Sequence, residues 1–354
     1  MNKKFSIGNI WRNYSYIFVM ILIIIGYAIA LGSSGVRFNW NHIISILGSQ
    51  NTCIVGTMAL GMALVVITGN IDLSLGSGLV LCSSVCISVF NLTGSAVLMF
   101  IAAIVSGALC GLINGVLIGL AKMQAFIATL GTMLIYRSLA LSAVRSLPAE
   151  VTGSGSSQFA LIADFPQYEF LRKTFGIGKF LSIPWITILF LVLAVIIILI
   201  SKKTKFGKSV FAIGSNANAA RLAGINVTAV KIIVFVITGI LVGFASFIQA
   251  CKIGNITPAS SGVSFEMYAV AAIVLGGISM AGGKGNLVGI IFGAISYTTI
   301  NFIIVSIPAL SVDIQNAFQG LVLILVILVQ TLGPIFKEKI QTAKKRKAAL
   351  AAEA

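Results

Sequence analysis

Two carboxylates stand where carboxylates are expensive. Asp72 lies in Thr68-Gly69-Asn70-Ile71-Asp72-Leu73-Ser74-Leu75-Gly76, a polar break between apolar stretches, and Glu266 opens Phe265-Glu266-Met267-Tyr268 at the edge of another. The chain holds only eight acidic residues, and an ionised side chain at bilayer depth costs about 2.5–3.5 kcal/mol or more unless it faces protein or water. Either group could touch a polar solute or carry a proton or sodium ion. Either could equally satisfy the N–H groups at the start of the next helix, where negative charge suits the macrodipole, and for Asp72 that capping role is preferred. Gln124, Gln249, Asn301, Gln315 and Gln319 are polar enough to line a path or to hydrogen-bond between helices. Arg137 is a lone positive charge left inside an apolar span.

No hydrolytic machinery accompanies these groups. Gly283-Lys284 is followed by Gly285, not Ser or Thr, and Ile278 stands where a P-loop needs its first glycine. The lone histidine, His42, sits in a connector with Arg37, with no zinc-protease or nucleophile-elbow pattern. Five cysteines (Cys53, Cys82, Cys86, Cys110 and Cys251) form no CxxC pair and read as small packing residues.

The elements that must position these residues are membrane helices. Hydrophobic residues make up 58% of the 354, charged residues 9%, and mean hydropathy is +1.08. The chain is therefore an all-α polytopic membrane protein. Its formal charge of +16 needs no polyanionic ligand, because the positives sit at the termini and in loops, as retention of basic residues on the cytoplasmic side requires. Apolar runs predict about ten spans: 16–31, 51–68, 72–90, 95–121, 124–144, 183–201, 229–250, 266–281, 287–306 and 314–335. The first is expected to be an uncleaved span, and the short 266–281 run a broken or re-entrant one. With both termini cytoplasmic, Lys122, the cluster from Lys202 to Lys231, Lys284 and the 337–347 tail all fall inside. Recurrent glycines, Gly107-Gly111-Gly115-Gly119, Gly239-Gly243 and Gly285-Gly289-Gly293, predict close helix packing.

Two polar segments interrupt the apolar pattern. Residues 145–182, on the extracytoplasmic side, read either as a surface for a partner or as a solvated connector. Residues 202–228, on the cytoplasmic side, open basic, turn through Gly214-Ser215-Asn216 and then read as one short helix. Ser215 or Asn216 can cap it, Ala219, Leu222 and Ala223 share a face, and Gly224 can stop it. Such a helix either docks a soluble partner or pins the loop to lipid headgroups.

Four strings, in order, carry a family resemblance: Ile67 to Ser77 (ITGNIDLSLGS); Gln124 to Met133 (QAFIATLGTM); Thr204-Lys205-Phe206-Gly207-Lys208 with Phe211 to Asn216 and Ala219 to Ile225; and Ala271 to Ser279 with Gly282 to Gly285. Together they resemble the permease subunits of bacterial ATP-binding-cassette importers for ribose, galactose, xylose and related solutes, autoinducer-2 included. The resemblance implies a permease domain over 1–336 with a basic cytoplasmic tail over 337–354, in the bacterial cytoplasmic membrane. It implies an ATPase partner that holds the ATP and Mg, a periplasmic or lipid-anchored substrate-binding protein, a second permease copy, and no cofactor on this chain. It makes 202–228 a coupling loop, with Gly214, Asn216, Ala219, Ala220, Arg221, Leu222 and Gly224 as the ATPase-coupling residues. A solute pathway would draw on Asn70, Asp72, Gln124, Phe126, Glu266, Tyr268 and Asn301. Relatives commonly carry Gly at the position of Asn70 and an acidic residue at that of Tyr268, which leaves the cargo open. An ion-coupled secondary transporter using Asp72 and Glu266 is the alternative.

Overall fold

A computed structural model describes residues 7–155 and 157–306, together with 317, 320, 321, 324 and 328. Apart from those isolated positions, the tenth expected span lies outside the described residues, as do Gln315, Gln319 and the basic tail. The chain enters through α1 (Ile7–Ser33) and α2 (Trp40–Leu47), then a π-helical turn at Asn51–Val55 and α3 (Gly56–Ile67). Next come α4 (Leu75–Thr93), α5 (Ala96–Gly119), α6 (Ala125–Ser146) and the small elements α7 (Ala149–Thr152), β1 (Phe159–Ala160), α8 (Pro166–Leu171), β2 (Lys179–Phe180) and β3 (Ile183–Pro184). The remainder is α9 (Trp185–Lys203), α10 (Lys205–Ser215), α11 (Ala217–Leu222), α12 (Val227–Ile253), β4 (Asn255–Ile256), α13 (Phe265–Leu275) and α14 (Val288–Val305).

Seven of the described helices are long and apolar enough to cross a bilayer, or eight if α2 and the 51–67 helix, bent by 45° at their break, count as one span. Every residue of α3 is buried, as a helix apolar on all faces must be when it stands at the centre of a bundle. His42 proves to be local architecture: its backbone N–H donates to Asn39 Oδ1 at 3.4 Å, and its ring Nδ1 lies 3.2 Å from the Asn39 backbone N–H, closing a capping box at the start of α2.

The glycine rows mark the closest helix approaches. A Cβ placed on Gly107 would lie 2.2 Å from the Gly239 carbonyl oxygen, and one on Gly243 2.3 Å from that of Ala103. Thus α5 and α12 pack backbone to backbone, gaining dispersion contact that any larger residue would forfeit. Gly289 and Gly293 do the same for α14 against Ala272 of α13 and Gly276, which caps its C-terminal end. Gly285 does not extend that row: it sits in the turn before α14 with φ of 149°, facing Ile278.

The connections gather at two ends. At one, the Gly283 N–H donates to the Ile67 carbonyl at 2.9 Å, the Leu73 N–H donates to Thr129 Oγ1 at 3.1 Å, and Gly214 packs on Ile67 and Gly283, which brings 68–74, the start of α6, the 202–228 insert and the 276–287 turn together. At the other, β1 pairs antiparallel with β4, the Ala96 N–H donates to Gln167 Oε1 at 2.6 Å, and Arg172 Nη1 donates to the Cys251 carbonyl at 2.9 Å. The 145–182 segment is no loose connector. Phe159 and Leu171 are buried in a cluster with Phe90 and Ile256, and Asn91 clasps the segment by donating to the Val151 and Ala160 carbonyls at 3.0 and 2.8 Å while accepting from the Ile162 N–H at 3.0 Å.

Candidate functional site

The polar break after α3 is built by its own sequence. Gly69 takes φ of 78°, a left-handed turn that glycine adopts without a side-chain clash. Asn70 folds back so that its amide donates to Thr68 Oγ1 at 2.9 Å. Asp72 is buried, and its Oδ1 accepts from the Ser74 N–H at 2.9 Å and the Ser74 hydroxyl at 2.7 Å. This amends the expected cap: Asp72 does not reach the first-turn N–H groups of α4 but holds Ser74, the N-cap residue, in place. The network then runs inward. Asn114 of α5 donates to Ser74 Oγ at 2.8 Å, and the Thr132 hydroxyl of α6 donates to Asn114 Oδ1 at 2.7 Å. Through Ser74, the Oδ1 of this carboxylate is linked to a network that ties three helices together.

Glu266 stands in the first turn of α13, after Ser264 at φ of 64°. Its carboxylate lies against Gly76, where a Cβ would come 2.6 Å from Oε2 and 2.2 Å from the Gly262 carbonyl oxygen. Glu266 thus sits beside the first turn of α4, four residues past Asp72. Tyr268 packs against Tyr297 of α14 with ring centroids 5.1 Å apart and the ring planes tilted by 30°.

Gln124 and Phe126 are exposed at the start of α6, with Phe126 on its outer surface. Asn301 is half-buried on α14, one turn beyond Tyr297. Gln249 serves as an interhelical partner, accepting from the Gln50 amide at 2.8 Å.

The insert departs from its expected form. It holds two helices, and Gly214 and Ser215 end the first rather than forming a free turn. The reason lies in the packing: a Cβ on Gly214 would fall 1.7 Å from the Ile67 carbonyl oxygen and 2.5 Å from the Gly283 N, so only glycine lets α10 seat there. Asn216, not Ser215, caps α11, its Oδ1 accepting from the Asn218 and Ala219 N–H groups at 3.0 Å each. At the far end Gly224 takes φ of 82°, with Gly224 N–H to Arg221 O and Ile225 N–H to Ala220 O both 3.0 Å. That is a Schellman stop. Ala220 is the residue α11 buries, while Ala219, Arg221, Leu222 and Ala223 face outward, Leu222 at 91% exposure.

Sequence reasoning missed two features here. It treated Gly214 as a turn residue, because periodicity cannot reveal a backbone contact with a segment some 150 residues away. It left Arg137 without a role, although a charge in an apolar helix is itself a signal; Arg137 Nη1 donates to the carbonyls of Pro258 and Ser261 at 2.7 and 2.6 Å. Among the described residues no cluster of His, Cys, Asp and Glu could hold a metal ion.

A multi-pass bundle with a discontinuous span, carboxylates at a helix break and a clamped helix at one end has the build of a membrane transport subunit. Residues 43–327 match the family described as the branched-chain amino acid transport system / permease component. The chain belongs to that family, and so to the permeases of ATP-binding-cassette importers that its motifs resemble, transport subunits and not enzymes. It is 37% identical to the ribose import permease protein RbsC of Escherichia coli (strain K12) over 262 residues, 73% of this chain and 76% of that one. It is 35% identical to the protein of the same name from Bacillus subtilis (strain 168), covering 81% and 84% of the two chains. The galactose/methyl galactoside import permease protein MglC of Haemophilus influenzae is 32% identical, with 85% and 88% covered. No solved structure matches the chain significantly.

Proposed function

We propose that this chain forms the pathway of an ATP-driven importer for a monosaccharide such as ribose. It does so with a second permease copy, and an ABC ATPase subunit that carries the ATP and Mg drives it by gripping α11. The observation that carries this reading is Leu222, an apolar side chain 91% exposed on a helix locked at both ends. A rigid knob of this kind fits a hydrophobic groove on a soluble partner, and Ala219 and Ala223 beside it leave room for close approach. The surrounding Lys202, Lys203, Lys205, Lys208 and Arg221 favour the cytoplasmic side for this end, with both termini cytoplasmic. The opposite end, carrying the packed 145–182 segment, then receives a periplasmic or lipid-anchored binding protein.

Motion delivered to α11 has a short route inward. Asn216 joins it to α10, and Gly214 rests on Ile67 and Gly283, so a shift of α10 moves the end of α3 and the turn that follows α13. The other end of α13 bears Glu266. Closure of the ATPase dimer would therefore rock α3 and α13 between outward-open and inward-open packings, both of which must be close in energy. Asp72 and its network keep the α3–α4 break rigid during that movement. The ion-coupled alternative has no observation in its favour beyond the two carboxylates, one of which is committed to Ser74.

The test is Leu222→Asp in the reconstituted importer. The bundle should assemble and ATP-dependent ribose uptake should fall by an order of magnitude or more, since a charge replaces the apolar contact. Unchanged uptake, or uptake by the permease alone under an ion gradient, refutes the assignment.

A further inference from the structure

The span that contains α13 is only half helical. Its 11 residues rise roughly 16 Å, about half of a 30 Å hydrocarbon layer. The irregular stretch 257–264 leads from β4 into α13 and is held by the two hydrogen bonds from Arg137. Arg137 itself lies roughly 18 Å along α6 from Ala125, past the middle of that helix. Non-helical backbone and charged side chains at this depth are tolerated where they are buried in protein or line a water-filled space.

Such a space is present. A cavity of about 470 Å³ opens between α4, α6, α13 and the 257–264 stretch, and its polar lining is Ser77, Arg137, Arg145, Ser264 and Glu266. Its size falls within the roughly 300–1,000 Å³ typical of small-molecule sites. The Arg137 and Glu266 charges face the same cavity without closing on one another: among the described residues they form no ion pair, and both hydrogen bonds of Arg137 to the chain come from Nη1. Nε and Nη2 therefore remain to donate, and the Glu266 carboxylate, unbonded by any other described side chain, remains to accept. A hydroxyl both donates and accepts. A compact molecule carrying several of them can bridge a donor fork and a carboxylate, whereas a solute with acceptors only, or donors only, satisfies one and leaves the other bare.

We propose that this cavity is a mid-membrane binding site for a polyhydroxylated solute, with Glu266 accepting from its hydroxyls and Arg137 donating to them. The site rests on the monosaccharide reading above and adds to it a place and a role for Arg137. Substrate selection is then made in the permease as well as in the binding protein.

The complete importer, reconstituted with its ATPase and binding protein, supplies the test, with radiolabelled ribose and galactose as probes. Glu266→Gln and Arg137→Lys should each raise KM or lower the uptake rate tenfold or more. Ala259→Trp, which fills the cavity from an exposed position without touching either charge, should block uptake similarly. In a separate variant, Ser264→Cys, modification by a membrane-impermeant thiol reagent should slow several-fold in millimolar ribose and not in millimolar betaine; the five native cysteines are all buried. Wild-type kinetics in the Glu266 and Ala259 variants overturn the site. So does loss of uptake without ribose protection at position 264, which assigns these residues to folding or to contact with a second permease copy. Failure of the wild-type importer to move either sugar defeats the monosaccharide reading instead, and the two failures are thereby told apart.

Discussion

Replacing Gly214 with alanine adds one methyl group at the point where the insert meets the bundle. The new carbon would start 1.7 Å from the Ile67 carbonyl oxygen and 2.5 Å from the Gly283 N, whereas an unstrained carbon–oxygen contact needs a little over 3 Å. Relief demands that α10 retreat by roughly 1.5 Å, because both obstacles are backbone and neither can rotate away. Overpacking of this kind costs about 1–3 kcal/mol, and disturbing the 2.9 Å bond from Gly283 to Ile67 adds about 1 kcal/mol. The sum, about 2–4 kcal/mol, is enough to weaken the seat of α10 without unfolding helices buried elsewhere. Thermal inactivation of the purified permease, read beside ATP-dependent uptake and ATPase rate in the reconstituted importer, separates the consequences. A modest loss of stability with a large loss of uptake per ATP hydrolysed is expected. Gly131→Ala is the control: nothing lies within 4 Å of a Cβ there, so better helix propensity should leave stability equal or improved by up to about 1 kcal/mol. If Gly214→Ala matches that control in both assays, the close approach does not exist and the route from α11 to α3 and α13 falls with it.

Further outcomes follow from the polar networks. Asp72→Ala removes both bonds to Ser74 and frees the Ser74–Asn114–Thr132 chain; it should cost about 2–4 kcal/mol and lower yield, while the ratio of ribose to galactose uptake stays constant, and a changed ratio at normal yield would count against a structural role. Asn91→Leu strips the three bonds that hold 145–182, so limited proteolysis should cut that segment faster while uptake by whatever intact protein remains is reduced; equal protease resistance argues that the clasp is unimportant.

The sequence alone determined the solvent and the all-helical, multi-span class, though it counts about ten spans where seven or eight stand among the described residues. Those depend on local composition, and a run of Leu, Ile and Val such as 185–200 has no other stable home than lipid or a bundle core. It also located the ends of α11, since capping is decided within a few residues: Asn216 and Gly224 act on neighbours only two to five positions away. The break at Asp72 was legible for the same reason, though its partner was not, because an Asx turn to Ser74 and a cap on the next helix look alike in one dimension. What the tertiary structure decided are contacts between distant segments. Gly214 became an immovable seat only when Ile67 and Gly283 arrived beside it, and Gly285 left its apparent row because a chain reversal intervenes before α14. Glu266 and Arg137 came to share a cavity because the irregular backbone that precedes α13 folds against α6, where Arg137 binds its carbonyls. Pairings across more than 100 residues are set by which helices can approach most closely, a property of three-dimensional shape that no local pattern of residues encodes.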